Sequence, residues 1–336
     1  MKLKYIFSFL GTVRIPGLLP IMMDWRGVLR FHFLYAAIES GLLEKLRTPC
    51  SHNELLTRLD VTRPEILEAL LKVGVAVKEL RCKNGQYCIR GKRSLAMVGE
   101  YGDMLSAIVQ ANVTYYNSAY RHAATRMHGA ALGEDLNDVG DIVARFSKLS
   151  DPVMQSYFKE ILKHHKGMHI LDIGCGSGLF LRTAHSQNPN ITGIGIDVDI
   201  DAANQAIQNM KTWGLEDKFE IIQGDFRMQA LDSKRFDLIS LINVVYYFPE
   251  NERTAIFRNL HSKLTSGGKL AIVMNMQANE KYAAAANLNM VNVSLKGVTR
   301  LPEPETLQQQ LLTSGFKDVQ VTGLMPGSSF VGIQAT

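Results

Sequence analysis

From Met168 onward the chain alternates short apolar runs with stretches of helical spacing, the pattern of buried parallel strands joined by helices. Met168 to Ile173 reads as a first strand and Leu179 to His185 as the start of the helix after it. GIGIDVD closes a second strand and QGDF a third, and Phe236 to Asn243, Leu264 to Met274, Lys317 to Leu324 and Ser329 to Ala335 supply further apolar runs. Upstream the pattern changes. Ile38 to Leu46 has the periodicity of an amphipathic helix, Ser51 is placed to cap a helix through Leu59, and Arg63 to Val73 makes a third. Val77 to Cys82 and Gln86 to Ile89 then alternate around Lys83-Asn84-Gly85, a hairpin signal. The chain is therefore expected to be α/β, a doubly wound sheet preceded by a mainly α winged-helix module.

The stretch LDIGCGSG, Leu171 to Gly178, ends the first strand with an acid and three glycines at alternating positions. At a strand-to-helix crossover such glycines suit a tight turn whose backbone passes against a ligand, where a Cβ would fill the ligand's space. A mobile glycine loop gives the same letters, and it is the flanking strand and helix that favour a binding turn. The acid separates two cofactor classes. A dinucleotide sets its pyrophosphate on the helix N-terminus, and a carboxylate at Asp172 repels it. S-adenosylmethionine carries an α-ammonium group and a sulfonium instead, and attracts that carboxylate directly or through water. Asp197 closes the next strand, where an acid can bind a ribose diol; a solvated strand-end carboxylate is the plainer alternative. Asp225 and Phe226 end the third run and set an acceptor for an adenine amino group beside an aromatic ring, although GDF alone is more often a turn. Three acids at successive strand ends argue against coincidence.

These residues resemble the class I S-adenosylmethionine-dependent methyltransferases. The resemblance implies a seven-stranded sheet whose sixth and seventh strands, Lys317 to Leu324 and Ser329 to Ala335, form a closing hairpin. Asp172, Gly174, Gly176 and Gly178 match the first motif, Asp197 with Val198 beside it the ribose position, Asp225 and Phe226 the adenine site, and Asn243 a position lining the methionine end. LYAAIESGLLEKL, Tyr115 to Gly129, RFSKLSDPVMQSYF, and NLNMVNV followed by LPEPETLQQQLLTSGF are similar to the small-molecule O-methyltransferases with an N-terminal winged helix. That family implies an N-terminal arm (1–28), a winged-helix dimerisation domain (29–98), a helical linker lining the substrate pocket (99–150) and a methyltransferase domain (151–336). Tyr101 to Gly140 and Tyr282 to Val293 then roof the pocket, and the protein is expected to be a homodimeric enzyme that methylates a small, aromatic or polyketide-like molecule.

One departure bears on the chemistry. Plant-type members place a His base after the fourth strand, before an Asp-Trp pair, and orient it with an acid at the end of the fifth. Here Tyr246 stands at the His position, Tyr247 and Phe248 at the pair, and Met274 at the acid. A phenol with a reference pKa near ~10 is a poor base at neutral pH. Tyr246 is then the candidate at the acceptor, with His122 and His128 as substitutes for the missing base. An amine, a thiol or an electron-rich carbon needs no such base, so the acceptor atom stays open between oxygen, carbon and nitrogen. The alternative is a catalytically inactive cofactor-binding protein or a winged-helix regulator.

Composition narrows the partners. At 336 residues, 46% hydrophobic and 21% charged, the chain has room for two domains and an ordinary core. A formal charge of +5 is mild, and Arg63 and Lys72 on the would-be recognition helix are balanced by Glu65 and Glu68, so no nucleic acid is expected. Cys50, Cys82, Cys88 and Cys175 show no paired spacing, which indicates neither zinc nor a disulfide framework and suits a reducing cytoplasm. Arg14, Pro16 and Pro20 interrupt the apolar N-terminus before it reaches spanning length. It is expected to pack on a partner subunit or the core, with an amphipathic, peripheral membrane contact through Lys2, Lys4, Arg14, Arg26 and Arg30 as the other reading.

Overall fold

A computed structural model describes residues 17–134, 140–162, 167–231, 233–277 and 282–336. The chain divides into two compact units between Thr114 and Tyr115.

The first unit opens with α1 (Leu18–Glu39), stops at Ser40, whose N–H donates to Ala36 O at 3.0 Å, and turns on Gly41 at φ +68° into the short α2 (Leu42–Lys45). The single helix expected over Ile38 to Leu46 is thus two. The apolar spacing runs through the break because both pieces bury their apolar side chains in one core, Leu34, Ala37, Leu42 and Leu46 among them. After β1 (Cys50–Ser51), α3 (His52–Arg58) carries a full capping box: Glu54 N–H donates to Ser51 Oγ at 3.3 Å and Ser51 N–H to the Glu54 carboxylate at 2.7 Å. Next, α4 (Pro64–Ala76) starts on a proline whose missing N–H costs nothing there. It runs past Val73, so β2 (Leu80–Lys83) begins later than the Val77 expected from alternation; Val77 caps the helix and Lys78 turns at φ +64°. Asn84 and Gly85, both at positive φ, make the hairpin turn to β3 (Gln86–Ile89). The three strands form an antiparallel sheet in the order β1-β3-β2, followed by α5 (Lys92–Met97) and α6 (Gly102–Ala111).

The expected boundary at 28/29 falls inside α1, and residues 99–114 go with the first unit, because helical periodicity marks a buried face without saying which core receives it. Residues 1–16 of the expected arm, with Lys2, Lys4, Arg14 and Pro16, lie outside the described residues. Among the described residues no helix is long and apolar enough to cross a membrane.

A π-helical turn, Asn112–Tyr116, leads into the second unit, continued by α7 (Asn117–Arg121) and α8 (Ala123–Met127). Then come α9 (Gly140–Ser147) and α10 (Asp151–Leu162); residues 135–139 of the expected helical roof lie outside the described residues. The sheet contains β4 (Met168–Ile173), β5 (Ile191–Asp197), β6 (Phe219–Gln223), β7 (Phe236–Ile242), β8 (Leu264–Asn275), β9 (Val319–Gly323) and β10 (Phe330–Ala335). Its order is β6-β5-β4-β7-β8-β10-β9. Parallel pairing joins β6 through β8, and β10 runs antiparallel between β8 and β9. Between the strands lie α11 (Leu179–Gln187), α12 (Ile200–Trp213), α13 (Arg253–Ser262), α14 (Ala283–Val293) and α15 (Pro304–Thr313).

Alternate strand residues enter two separate cores: Ile170, Leu238, Ala271 and Val273 on one face, Leu171, Ile239, Leu270 and Ile272 on the other. Burial of both faces is why these segments read as continuous apolar runs. The chain winds outward from β4 to β6 and then returns to β7 on the other side of β4. That reversal opens a crevice at the C-terminal ends of β4, β5 and β7, where this architecture takes its ligands.

Candidate functional site

The turn after β4 is the floor of the crevice. Gly174, Gly176 and Gly178 all have positive φ, +70°, +53° and +77°, a conformation that glycine adopts at little cost. Their surroundings differ. A Cβ on Gly174 would collide with Val244 Cγ2 and one on Gly178 with Met210 Cε, whereas a Cβ on Gly176 would enter open space. The ligand-space argument made for all three glycines therefore holds at Gly176 alone; the other two let the turn pack on its neighbours.

Asp197, at the end of β5, ties the turn down. Its Oδ2 accepts the Gly176 N–H at 2.7 Å and its Oδ1 the Asp199 N–H at 2.9 Å. Burial raises this carboxyl above its ordinary value, against the pull of those N–H donors. Each oxygen keeps a lone pair for a further donor such as a ribose hydroxyl. Asp172 is only 1% exposed. Strand register sets it opposite Ser240 on β7 and Gly195 on β5, and the Ser240 hydroxyl donates to Asp172 Oδ1 at 2.7 Å. Burial pushes its pKa up to about 7, with the Asp197 carboxylate adding to the rise.

The position expected to take the adenine is less open than the sequence implies. Asp225 caps the short turn Phe226–Met228, and its two oxygens receive the Arg227 backbone N–H, Nε and Nη2 at 2.6–3.0 Å. That pairing, chiefly the side-chain hydrogen bonds, holds its carboxyl below the usual range and occupies most of its acceptor sites. Phe226 is buried in the core and meets Phe248 at 5.8 Å between ring centroids. Exposed apolar side chains also follow the ends of β5 and β6, Val198, 72% exposed, with Ile200 and Met228, among exposed Asp199, Gln223 and Arg227.

Asn243, just past β7, adopts φ +55°, which asparagine tolerates better than most residues, and its N–H donates to Val273 O at 2.8 Å. The next turn, Val245–Tyr247, carries Tyr246, whose ring lies 4.9 Å from that of Tyr247. Tyr115 and Tyr116 meet edge-on at 4.6 Å. Burial drives the Tyr246 hydroxyl well above its ordinary pKa, and the Tyr247, Tyr116 and Tyr115 phenols add to the shift. Burial first, and the Asp197 carboxylate second, likewise raise Tyr247. Tyr115, Tyr116, Tyr246, Tyr247 and Asp197 thus share one electrostatic neighbourhood. His122 and His128 do not join it in the same way: both are exposed at the ends of α7 and α8, with His122 Nδ1 3.0 Å from Ser118 O. Met274 is fully buried in the core.

Sequence reasoning missed Ser240, Val244, Arg227 and Arg253. Ser240 and Val244 are set by strand register and turn packing, which no local pattern reports; Arg227 pairs locally with Asp225, two residues before it, and Arg253 opens α13, where its burial is set by packing. The donor set, with a buried acid before the turn, an open position at Gly176 and lone pairs left on Asp197, fits S-adenosylmethionine and disfavours a pyrophosphate.

Residues 170–268 match the family model described as a methyltransferase domain. The chain is an S-adenosylmethionine-dependent methyltransferase, similar to the class I family. Among curated relatives it is 25% identical over 185 residues to a ubiquinone biosynthesis O-methyltransferase of Coxiella burnetii, covering 52% of this chain and 74% of that protein. It is 26% identical over 159 residues to the tetracenomycin polyketide synthesis 8-O-methyl transferase TcmO of Streptomyces glaucescens, covering 46% of this chain and 45% of TcmO. Among solved structures, the mitomycin 7-O-methyltransferase MmcR superposes with a TM-score of 0.77 at 14% identity, covering 97% of this chain and 99% of that one. At that identity the likeness speaks for the fold.

Proposed function

We propose that this methyltransferase acts on a small aromatic or polyketide-like molecule whose acceptor atom is nucleophilic without help from a protein base. The observation that carries the reading is Tyr246: a half-buried phenol, packed against the core and held protonated by its surroundings, at the position where a base is otherwise expected. Met274 supplies no acid to orient one. The relatives named for ubiquinone and polyketide O-methylation support the substrate class.

S-adenosylmethionine supplies a methyl group already activated on a sulfonium. The chain's residues bind, orient and dry the site around it. Gly176 leaves room for the cofactor, Asp197 receives the ribose hydroxyls, and Asp172 answers the α-ammonium group. Val198 and Met228 flank the adenine on apolar surface, with Phe226 beneath as support and Asp225 mainly holding Arg227. Asn243 stands at the methionine end. Tyr246 points the acceptor, either packing against it or donating one hydrogen bond. The protein acts as a homodimer through its first unit, where α1 exposes Leu19, Ile21, Met22, Met23, Trp25 and Val28, more apolar surface than one helix ordinarily leaves to water.

The test is single-turnover methylation of a panel of hydroxyquinones, catechols and aromatic polyketides by the parent and by Tyr246→Phe. Tyr246→Phe keeps the ring and loses one hydroxyl contact of about 0.5–1.5 kcal/mol, so its rate is expected within roughly tenfold of the parent at every pH. A hundredfold loss with disappearance of an ionising limb would restore Tyr246 as the base. His122→Ala and His128→Ala are expected to leave the rate nearly unchanged.

A further inference from the structure

Arg253, the first residue of α13, is 2% exposed. An arginine there is disfavoured twice over. Its charge is withdrawn from water, and it sits at the positive end of a helix. Its hydrogen bonds go to neutral acceptors. Nε donates to Phe248 O at 3.3 Å and Nη2 to Thr299 Oγ1 at 2.6 Å. Burial lowers its pKa, with Glu250 opposing, and Glu250 is itself 3.2 Å from Arg300.

What the guanidinium holds is the turn between the two halves of the site. Thr299 N–H and Oγ1–H both donate to Tyr246 O, at 2.7 and 2.8 Å. Arg253 thus grips the turn at Tyr246, through Thr299, and again at Phe248. Tyr246 is the acceptor-side residue, and Phe248 packs on Phe226 below the adenine side. The Thr299 segment is anchored in turn by Leu301 N–H, which donates to Asn289 Oδ1 on α14 at 2.9 Å.

We propose that Arg253 and Thr299 are positioning residues, a strap that fixes the Val245–Tyr247 turn so that the acceptor side and the adenine side keep a constant relation. The proposal rests on the site reading above for the roles of Tyr246 and Phe226; the strap itself does not. Neither Arg253 nor Thr299 is assigned any contact with cofactor or acceptor.

The test uses the full chain with Thr299→Ser, Thr299→Val and Arg253→Lys. Hydrogen exchange of the 244–250 segment is compared with that of β4 and β8, and S-adenosylhomocysteine binding is followed by calorimetry. The protected amides in the turn are Tyr247 N–H, bonded to Val244 O, and Phe248 N–H, bonded to Val245 O. Thr299→Ser keeps the hydroxyl and is expected to exchange like the parent. Thr299→Val loses it, and exchange in 244–250 is expected to rise tenfold or more with β4 and β8 unchanged. Arg253→Lys keeps the charge but not the two-armed fork; it is expected to loosen the same segment and to weaken S-adenosylhomocysteine three- to tenfold. Unchanged exchange in Thr299→Val, or a rise shared equally by β4 and β8, would overturn the strap. Unaltered S-adenosylhomocysteine affinity in Arg253→Lys would overturn its adenine-side half. Failure of the parent chain to bind S-adenosylhomocysteine would instead sink the site reading, and the exchange data would still decide the strap.

Discussion

Asp172 lies between Ser240 and Gly195 on the neighbouring strands, with its carboxyl buried and its pKa moved from an ordinary 3.8 to about 7. The sign of the consequence follows from proton binding. The folded chain holds this proton more tightly than the unfolded chain, so the contribution of Asp172 to stability is greatest in acid and falls as pH rises from about 4 to about 7. Asp172→Asn should therefore stabilise the ligand-free protein more at pH 8 than at pH 5, by at most about 3 kcal/mol, roughly 1.4 kcal/mol for each unit between pH 5 and the folded value. The same change should weaken S-adenosylmethionine, whose ammonium group stabilises the ionised carboxylate. Thermal melts and calorimetry at pH 5 and pH 8 check both halves; a variant that melts lower at pH 8 and binds as well as the parent would contradict them. The acid and its place before the glycines are plain in the sequence. Its burial is not, because Ser240 comes into contact only through the pairing of β4 with β7, 68 residues along the chain.

At the scale of the element, the strand-to-helix turn was legible as a glycine device, but its division of labour was not. Gly174→Ala would drive a methyl into Val244 and should destabilise the protein clearly. Gly176→Ala meets no atom, so its cost should be near the ~1 kcal/mol of a non-glycine residue at positive φ, while S-adenosylhomocysteine affinity drops sharply. Denaturant melts paired with calorimetry separate the two; equal loss of stability with intact binding at Gly176 would mean that the open side is not the ligand's. Helix ends were readable where a side chain makes the cap, as at Ser51. They are not readable where the stop falls inside a continuous apolar pattern: Ser40, whose N–H and hydroxyl both donate to Ala36 O, and Gly41 at positive φ end α1 there. Arg253 and Thr299 escaped notice for a related reason, since 46 residues separate two groups whose only signature is mutual contact.

For the whole molecule, the order of strands and helices was visible because parallel strands buried on both faces write themselves as apolar runs. The partition between units was not, since it depends on which core each amphipathic helix joins. Two-unit organisation also bears on assembly. Light scattering on the full chain and on a chain beginning at Tyr115 should show a dimer and a monomer respectively, because the apolar α1 surface lies wholly in the first unit; a truncated chain that still dimerises would move the interface elsewhere. The central claim, that the crevice beyond β4 and β5 is a S-adenosylmethionine site, is tested most directly by calorimetric titration of the parent chain at pH 8. S-adenosylmethionine and S-adenosylhomocysteine should each bind one per chain while NAD gives no heat of binding. Saturable binding of NAD, with no response to either adenosyl compound, would contradict it.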